Sequence, residues 1–240
     1  MIKIALDPGH GLDSKNGGQG MTEYEFNSAV AGYAQKLLTE AGYEVVLTQP
    51  LHANTVSLSE RLNIAIKNDV DLLISIHADY NKSPNPRGFW GFYWHESEKG
   101  KQFAEIWERH ATKHFPHPAR GLRECNLGKW PNFYMTRETH RAGIPAILIE
   151  HGFMSNPEDL KILKSDSFRQ IAAITIVDAV NEMFGVQVDW RVEIGKNALN
   201  ELVDRGLVAN PEQIENLYKP LPAWFQLEMF NRIVKLSESS

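Results

Sequence analysis

Asp71-Leu72-Leu73-Ile74-Ser75-Ile76-His77 is the stretch that decides the fold. Leu72, Leu73, Ile74 and Ile76 leave almost no polar face, so one side of this segment cannot lie against water. A short apolar run of this kind reads as a strand buried on both faces, as in a parallel sheet covered by helices. Residues 2–6 and 145–149 have the same character. Between these runs the period changes. Phe26, Val30, Tyr33 and Leu37 recur at three- and four-residue steps, which predicts a helix over 24–41 stopped by Gly42. Ser57-Leu58-Ser59-Glu60 is a capping box that opens a second helix toward Asn68. Residues 98–114 and 167–184 also read as helices. Residues 43–48 and 88–94 read as strands, and 132–136 as a further short one. Alternating strands and helices predict an α/β domain over residues 1–184. Its sheet is mostly parallel and twisted, with helices on both faces.

A boundary is read at 185–189. Beyond it the pattern is purely helical, over 191–206, 211–218 and 222–236, giving a small all-helical module at residues 190–240. That length is short for an independent core. Its apolar residues suit packing on the first domain, self-association or recognition of a polymer partner. Acidic residues outnumber basic ones there, which argues against simple adsorption to an anionic polymer.

The whole chain has 240 residues and a net charge of −5, with no basic stripe to neutralise phosphates, so nucleic acid is not an expected partner. No apolar run is long enough to span a membrane. Cys125 is the single cysteine, so neither an intrachain disulfide nor a cysteine zinc site can form. Any metal must be held by histidines and carboxylates.

Ligands of open α/β sheets gather beyond the carboxyl ends of the strands. Three such ends carry reactive groups: Asp7-Pro8-Gly9-His10-Gly11, Ser75-Ile76-His77 and Ile149-Glu150-His151-Gly152. Glu23, at the start of the first helix, falls on the same rim. Hydrolytic zinc sites use three protein ligands and keep a fourth position for water, with a nearby carboxylate to move the proton. Two histidines and two glutamates can meet that need. Singly each has a plainer reading. His10 is a loop histidine, and His77 could be a satisfied core residue. Glu23 is an acid well placed at a helix N-terminus. Glu150 is the odd one, because a carboxylate after an apolar run is costly to bury unpaired.

Five ordered segments add a family resemblance. They are Leu6-Asp7-Pro8-Gly9-His10-Gly11, Thr22-Glu23-Tyr24-Glu25-Phe26-Asn27, Ser59-Glu60-Arg61, Leu73-Ile74-Ser75-Ile76-His77-Ala78-Asp79 and Pro145-Ala146-Ile147-Leu148-Ile149-Glu150-His151-Gly152-Phe153-Met154-Ser155-Asn156. Together they resemble the N-acetylmuramoyl-L-alanine amidases of the amidase 3 type over residues 1–184. The resemblance implies one zinc ion on His10, Glu23 and His77, a catalytic Glu150, and peptidoglycan as substrate. The bond cut would be the amide between the lactyl group of N-acetylmuramic acid and L-alanine. Glu25 is a rival third ligand, two residues from Glu23 and so on another helical face. Thr48-Gln49 stands where Thr-Arg is usual, and His151 where Thr is common. Both departures are read as bearing on substrate preference.

The absence of a signal peptide leads to an expectation of cytoplasmic synthesis followed by release through a holin or lysis. That suits a phage endolysin, with a sporulation or autolysis amidase as the alternative. A different zinc hydrolase and a non-catalytic wall-binding protein on the same scaffold are the remaining rivals. His110 and His114 form an i, i+4 pair, but Ala111 stands where a metalloprotease helix needs glutamate, so they are read as a solvated face. His95 and His117 are read as surface residues, His95 with a chance of lining the cleft. Trp90, Phe92 and Trp94 alternate with Phe89, Gly91 and Tyr93, so one face could pack in the core while the other stacks on sugar or peptide.

Overall fold

The apolar run at 72–77 becomes β5 (Leu72–Asp79), and it lies inside a six-stranded sheet. Its neighbours are β1 (Lys3–Pro8) on one side and β8 (Ala146–Phe153) on the other, both parallel to it. These are the three strands whose sequences lack a polar face, and they take adjacent interior positions where neither face meets water. The computed structural model describes residues 1–185 apart from Gln19 and Lys129. The helices read at 190–240 lie outside the described residues.

Beyond β1 the sheet continues with β4 (Glu44–Leu47), again parallel. Beyond β8 come β6 (Phe89–Trp94), the one antiparallel neighbour, and β7 (Ala119–Cys125), parallel to β6. The sheet is therefore mostly parallel, in the order β4-β1-β5-β8-β6-β7. Helices cover both faces. On one, α1 (Glu23–Glu40), α3 (Glu98–His114) and α6 (Asp166–Phe184) pack together over the strands. On the other, α2 (Leu58–Lys67) and α4 (Tyr134–Arg141) bury Ala65 and Met135 against Ala5, Leu73 and Ala146. A short α5 (Pro157–Lys164) follows β8, opened by Asn156, whose side chain accepts from the Glu158 and Asp159 N–H groups.

Four readings change. Residues 132–136 are not a strand: the chain turns into α4 there, burying Met135, Thr136 and Thr139 on one helical face. β7 has no forerunner in the sequence reading, because its exposed edge position tolerates Arg120, Arg123 and Glu124 and so carries no apolar pattern. The Gly-rich loop after β1 holds a small antiparallel pair, β2 (Gly17–Gly18) with β3 (Met21–Thr22). Neither face of β6 is free for a ligand. Trp90, Phe92 and Trp94 pack on Cys125, Leu148 and Phe153, while Phe89 meets Trp107 of α3 edge-on at 5.8 Å.

Candidate active site

The parallel strands β1, β5 and β8 share a direction, so their carboxyl ends open onto one rim. The sequence-predicted residues His10, Glu23, His77 and Glu150 all line a single cleft of about 560 Å³ there. His77 and Glu150 are cross-strand partners on β5 and β8. His10 follows β1 in a left-handed backbone conformation, φ 68°. A non-glycine residue is rarely held there unless its surroundings impose it. Here Arg61 Nη2 donates to the His10 carbonyl at 2.6 Å. Glu23 is the first residue of α1, whose start is fixed by Thr22 accepting from the Glu25 N–H.

Glu23 lies between the two histidines. Its Oε2 is 2.9 Å from His10 Nε2 and its Oε1 is 2.8 Å from His77 Nδ1. Burial opposes ionisation of Glu23, but the hydrogen bonds and charges of His77 and His10 outweigh it and hold the carboxyl at about 2. Glu25 points elsewhere: it is exposed and pairs with Arg169 at 2.8 Å. Asn27, one turn after Glu23 and fully buried, donates to the Gly9 carbonyl at 3.1 Å and ties the helix to the loop.

A buried chain of polar groups stands behind His77. Its Nε2 is 3.2 Å from Ser75 Oγ, and that hydroxyl donates to Asp7 Oδ2 at 2.6 Å. The Ser75 proton is committed to the carboxylate, so Ser75 can only accept from His77. The network thereby places a His77 proton on Nε2. Nδ1 then meets the Glu23 carboxylate at 2.8 Å across a cation, a proton in the metal-free chain or a metal ion in its place. One ligand atom from each of His10, Glu23 and His77 lies within 4.8 Å of the others, so the donor set fits a small divalent ion. Asp7 Oδ1 takes Thr48 Oγ at 2.6 Å and Arg61 Nη1 at 3.0 Å. Arg61 is 1% exposed and also donates to Pro8 O, Val56 O and Gln49 Oε1. Gly9 completes the fit, since a Cβ there would lie 2.1 Å from His77 Cε1.

Glu150 faces the cleft from β8. Burial raises its carboxyl well above the ordinary range, with Glu23 and Asp79 adding to the effect, and its Oε2 has no hydrogen-bond partner. A carboxyl of raised proton affinity and no partner, beside a candidate cation site whose charge would favour its ionised form, is placed to take and give a proton. Asp79 lies on the same wall, raised by burial, accepting from Trp90 Nε1 at 3.1 Å.

Some sequence readings move. Gln49 and His151 do not meet substrate. Both are fully buried, Gln49 in the Arg61 network and His151 behind His77, whose carbonyl accepts from His151 Nδ1 at 3.1 Å. His117 is not a surface residue either. It is 4% exposed, and its Nε2 donates to the His151 carbonyl at 2.6 Å. His95 is exposed beside Trp94. Cys125 is buried. Asp7, Ser75 and Arg61 were quoted only as motif residues; the signal that marks their role is a carboxylate ending a buried strand, which must find partners.

The sequence profile described as N-acetylmuramoyl-L-alanine amidase, amidase 3, matches residues 4–182. The chain belongs to the amidase 3 family. Among its relatives is N-acetylmuramoyl-L-alanine amidase LytC of Bacillus subtilis, 31% identical over 178 residues, which cover 73% of this chain and 34% of LytC. The probable cell wall amidase LytH of Staphylococcus aureus is 31% identical over 186 residues, covering 75% of this chain and 58% of LytH. The chain thus spans about a third to three-fifths of the length of these amidase relatives. Among solved structures, the catalytic domain of CwlV, an amidase from Bacillus (Paenibacillus) polymyxa var. colistinus, superposes with a TM-score of 0.69 at 27% identity. That match covers 78% of this chain and 100% of the CwlV domain. No helix among the described residues is long and apolar enough to cross a membrane.

Proposed function

We propose that this protein hydrolyses the amide between the lactyl group of N-acetylmuramic acid and L-alanine in peptidoglycan, with one zinc ion on His10, Glu23 and His77. The observation that carries the proposal is the meeting, in one cleft, of that donor set with the buried carboxyl of Glu150, whose Oε2 has no partner. Membership of the amidase 3 family names the bond. Zinc held by these residues would supply Lewis acidity, lowering the pKa of a water to roughly 7 and polarising the scissile carbonyl. Glu23 provides the negative charge of the donor set. Ser75 and Asp7 keep the His77 proton on Nε2, so Nδ1 stays available. Arg61 holds the His10 backbone in its left-handed turn and so aims the imidazole. Glu150 takes the proton from the attacking water at Oε2 and passes it to the leaving alanine nitrogen, whose departure as a neutral amine breaks the bond.

We read the setting as host lysis by a phage endolysin acting on the wall after release by a holin or lysis. An autolysin is the alternative, and it is compatible with relatives named as cell wall amidases. Residues 190–240 are proposed to bind a wall polymer or to mediate association. The test is digestion of purified peptidoglycan with and without a chelator. New N-terminal L-alanine without new reducing ends is the expected product. New reducing sugar, or an N-terminus other than L-alanine, would overturn the assigned bond. Activity untouched by exhaustive chelation would remove the metal.

A further inference from the structure

His110 and His114, the i, i+4 pair that the cleft leaves unused, do not face open solvent. They share one side of α3, and that side meets α6. His110 Nε2 lies 2.8 Å from Glu182 Oε2, and His114 Nε2 lies 3.9 Å from Asp178 Oδ2. Asp178 and Glu182 are themselves four residues apart. The pairs 110–182 and 114–178 step in opposite directions, so two antiparallel helices present matched i, i+4 pairs, imidazoles on one and carboxylates on the other. One ligand atom from each of His110, His114 and Asp178 lies within 4.8 Å of the others. None of the four residues lines the catalytic cleft.

We propose that His110, His114 and Asp178 form a second metal site, for a divalent transition ion of the zinc class. Two imidazoles and one carboxylate suit zinc, cobalt, nickel or copper; magnesium and calcium favour all-oxygen shells. Four-coordinate zinc, with bonds of about 2.0–2.2 Å, brings its ligand atoms to roughly 3.5 Å of one another. Closing from the present spacing takes a small rotation of side chains. The His114 side chain is 40% exposed and has room to make it, while Asp178 is 8% exposed. Glu182, which also binds Arg109, is the carboxylate partner that orients the His110 ring. Water completes the shell on the exposed side. The site links the last turns of α3 to α6 and acts as a structural clamp, since an ion that binds only the folded arrangement stabilises it.

The experiment uses the full chain. A His10→Ala/His77→Ala double variant, which lacks the catalytic donor set, is titrated with Zn²⁺ and separately with Co²⁺. One equivalent should still bind, with the intense visible absorption of low-coordinate cobalt and a zinc-dependent rise in Tm. Adding His110→Ala and His114→Ala should abolish all three signals. In the otherwise native chain, the His110→Ala/His114→Ala change should lower bound zinc from two equivalents to one and leave peptidoglycan hydrolysis unchanged. Asp178→Asn, which keeps side-chain shape, and the single change His114→Asn on the more exposed ring cover the case in which the double change loosens the helix pair. Each should weaken binding at least tenfold in a chain that still unfolds cooperatively. No zinc bound by the His10→Ala/His77→Ala chain, or binding that survives loss of His110 and His114, would overturn the site.

Discussion

Replacing Asp7 with asparagine, and Ser75 with alanine, separates the support of the catalytic site from its chemistry. Asparagine keeps the shape of Asp7 but turns one acceptor oxygen into a donor. Placed toward Arg61 and Thr48, that amide opposes two donors; placed toward Ser75, it opposes the hydroxyl proton now held at 2.6 Å. In both rotamers the Arg61 guanidinium, 1% exposed, loses its counter-charge. Removing one partner of a buried pair costs about 3–5 kcal/mol. Arg61 keeps its bonds to Pro8 O, His10 O, Val56 O and Gln49 Oε1, which places Asp7→Asn at the lower end, about 3 kcal/mol. Ser75→Ala leaves the ion pair intact and strips one acceptor from His77 Nε2 and one donor from Asp7. It should cost about 1–3 kcal/mol in stability. Its effect on zinc affinity should be about 10–100-fold, because the Nε2 proton loses the group that fixes its place. Urea unfolding of the zinc-free protein reads the first quantity, and competition with a chromophoric chelator reads the second. Wild-type zinc affinity in Ser75→Ala, or an Asp7→Asn chain within about 1 kcal/mol of the native one, would refute the reasoning.

Three other perturbations probe the same region. Glu150→Gln keeps shape and removes the proton carrier, so hydrolysis of peptidoglycan should fall about 10²–10⁴-fold while zinc still binds; undiminished lysis would deny Glu150 its role. Gly9→Ala drives a methyl to 2.1 Å from His77 Cε1, so the ring must swing away and zinc affinity should fall at least about tenfold; unchanged affinity would mean that the loop yields instead. Burial holds the His151 imidazole down to about 3 from an ordinary 6.5, and lowers His117 as well. The unfolded chain therefore takes up protons that the folded chain refuses. The His151 contribution to stability is full above pH 6.5 and is lost as pH falls toward 3, a loss of about 2 kcal/mol by pH 5, whereas Glu150, whose carboxyl is raised, works in the opposite sense. Between pH 7.5 and pH 5, urea titrations should show a change about 2 kcal/mol less favourable in the native chain than in His151→Leu; equal changes in both would count against it.

What the sequence made legible follows from how many partners each residue needs. The strands at 2–6, 71–77 and 145–149 could be placed because a segment with no polar face has one home, between two layers of helix. Glu150 stood out for the same reason, as a carboxylate where burial is expensive. α4 was hidden because Thr136 and Thr139 lie buried on its inner face, their hydroxyls satisfied by carbonyls of the same turn, so no apolar period announces the helix. β7 was hidden by the opposite effect, an edge position that accepts charge. His117 and His151 were misplaced because an imidazole serves equally at a surface or in an aromatic pocket. Phe115, stacked on His117 and tilted against His151, decides the matter only after the chain has folded. The support of the candidate metal site was the least legible part, since its bonds join residues far apart: Arg61 reaches Asp7 across 54 positions and Ser75 reaches it across 68. Yet those bonds explain the strained φ at His10 and the tautomer at His77 together. Asp7 and Arg61 form one buried ion pair, and each extends to a different histidine of the candidate site, Asp7 through Ser75 to His77 and Arg61 directly to the His10 backbone. The two histidines are thus coupled through their support before any ion joins them, and a change at either end of that pair should be felt at both.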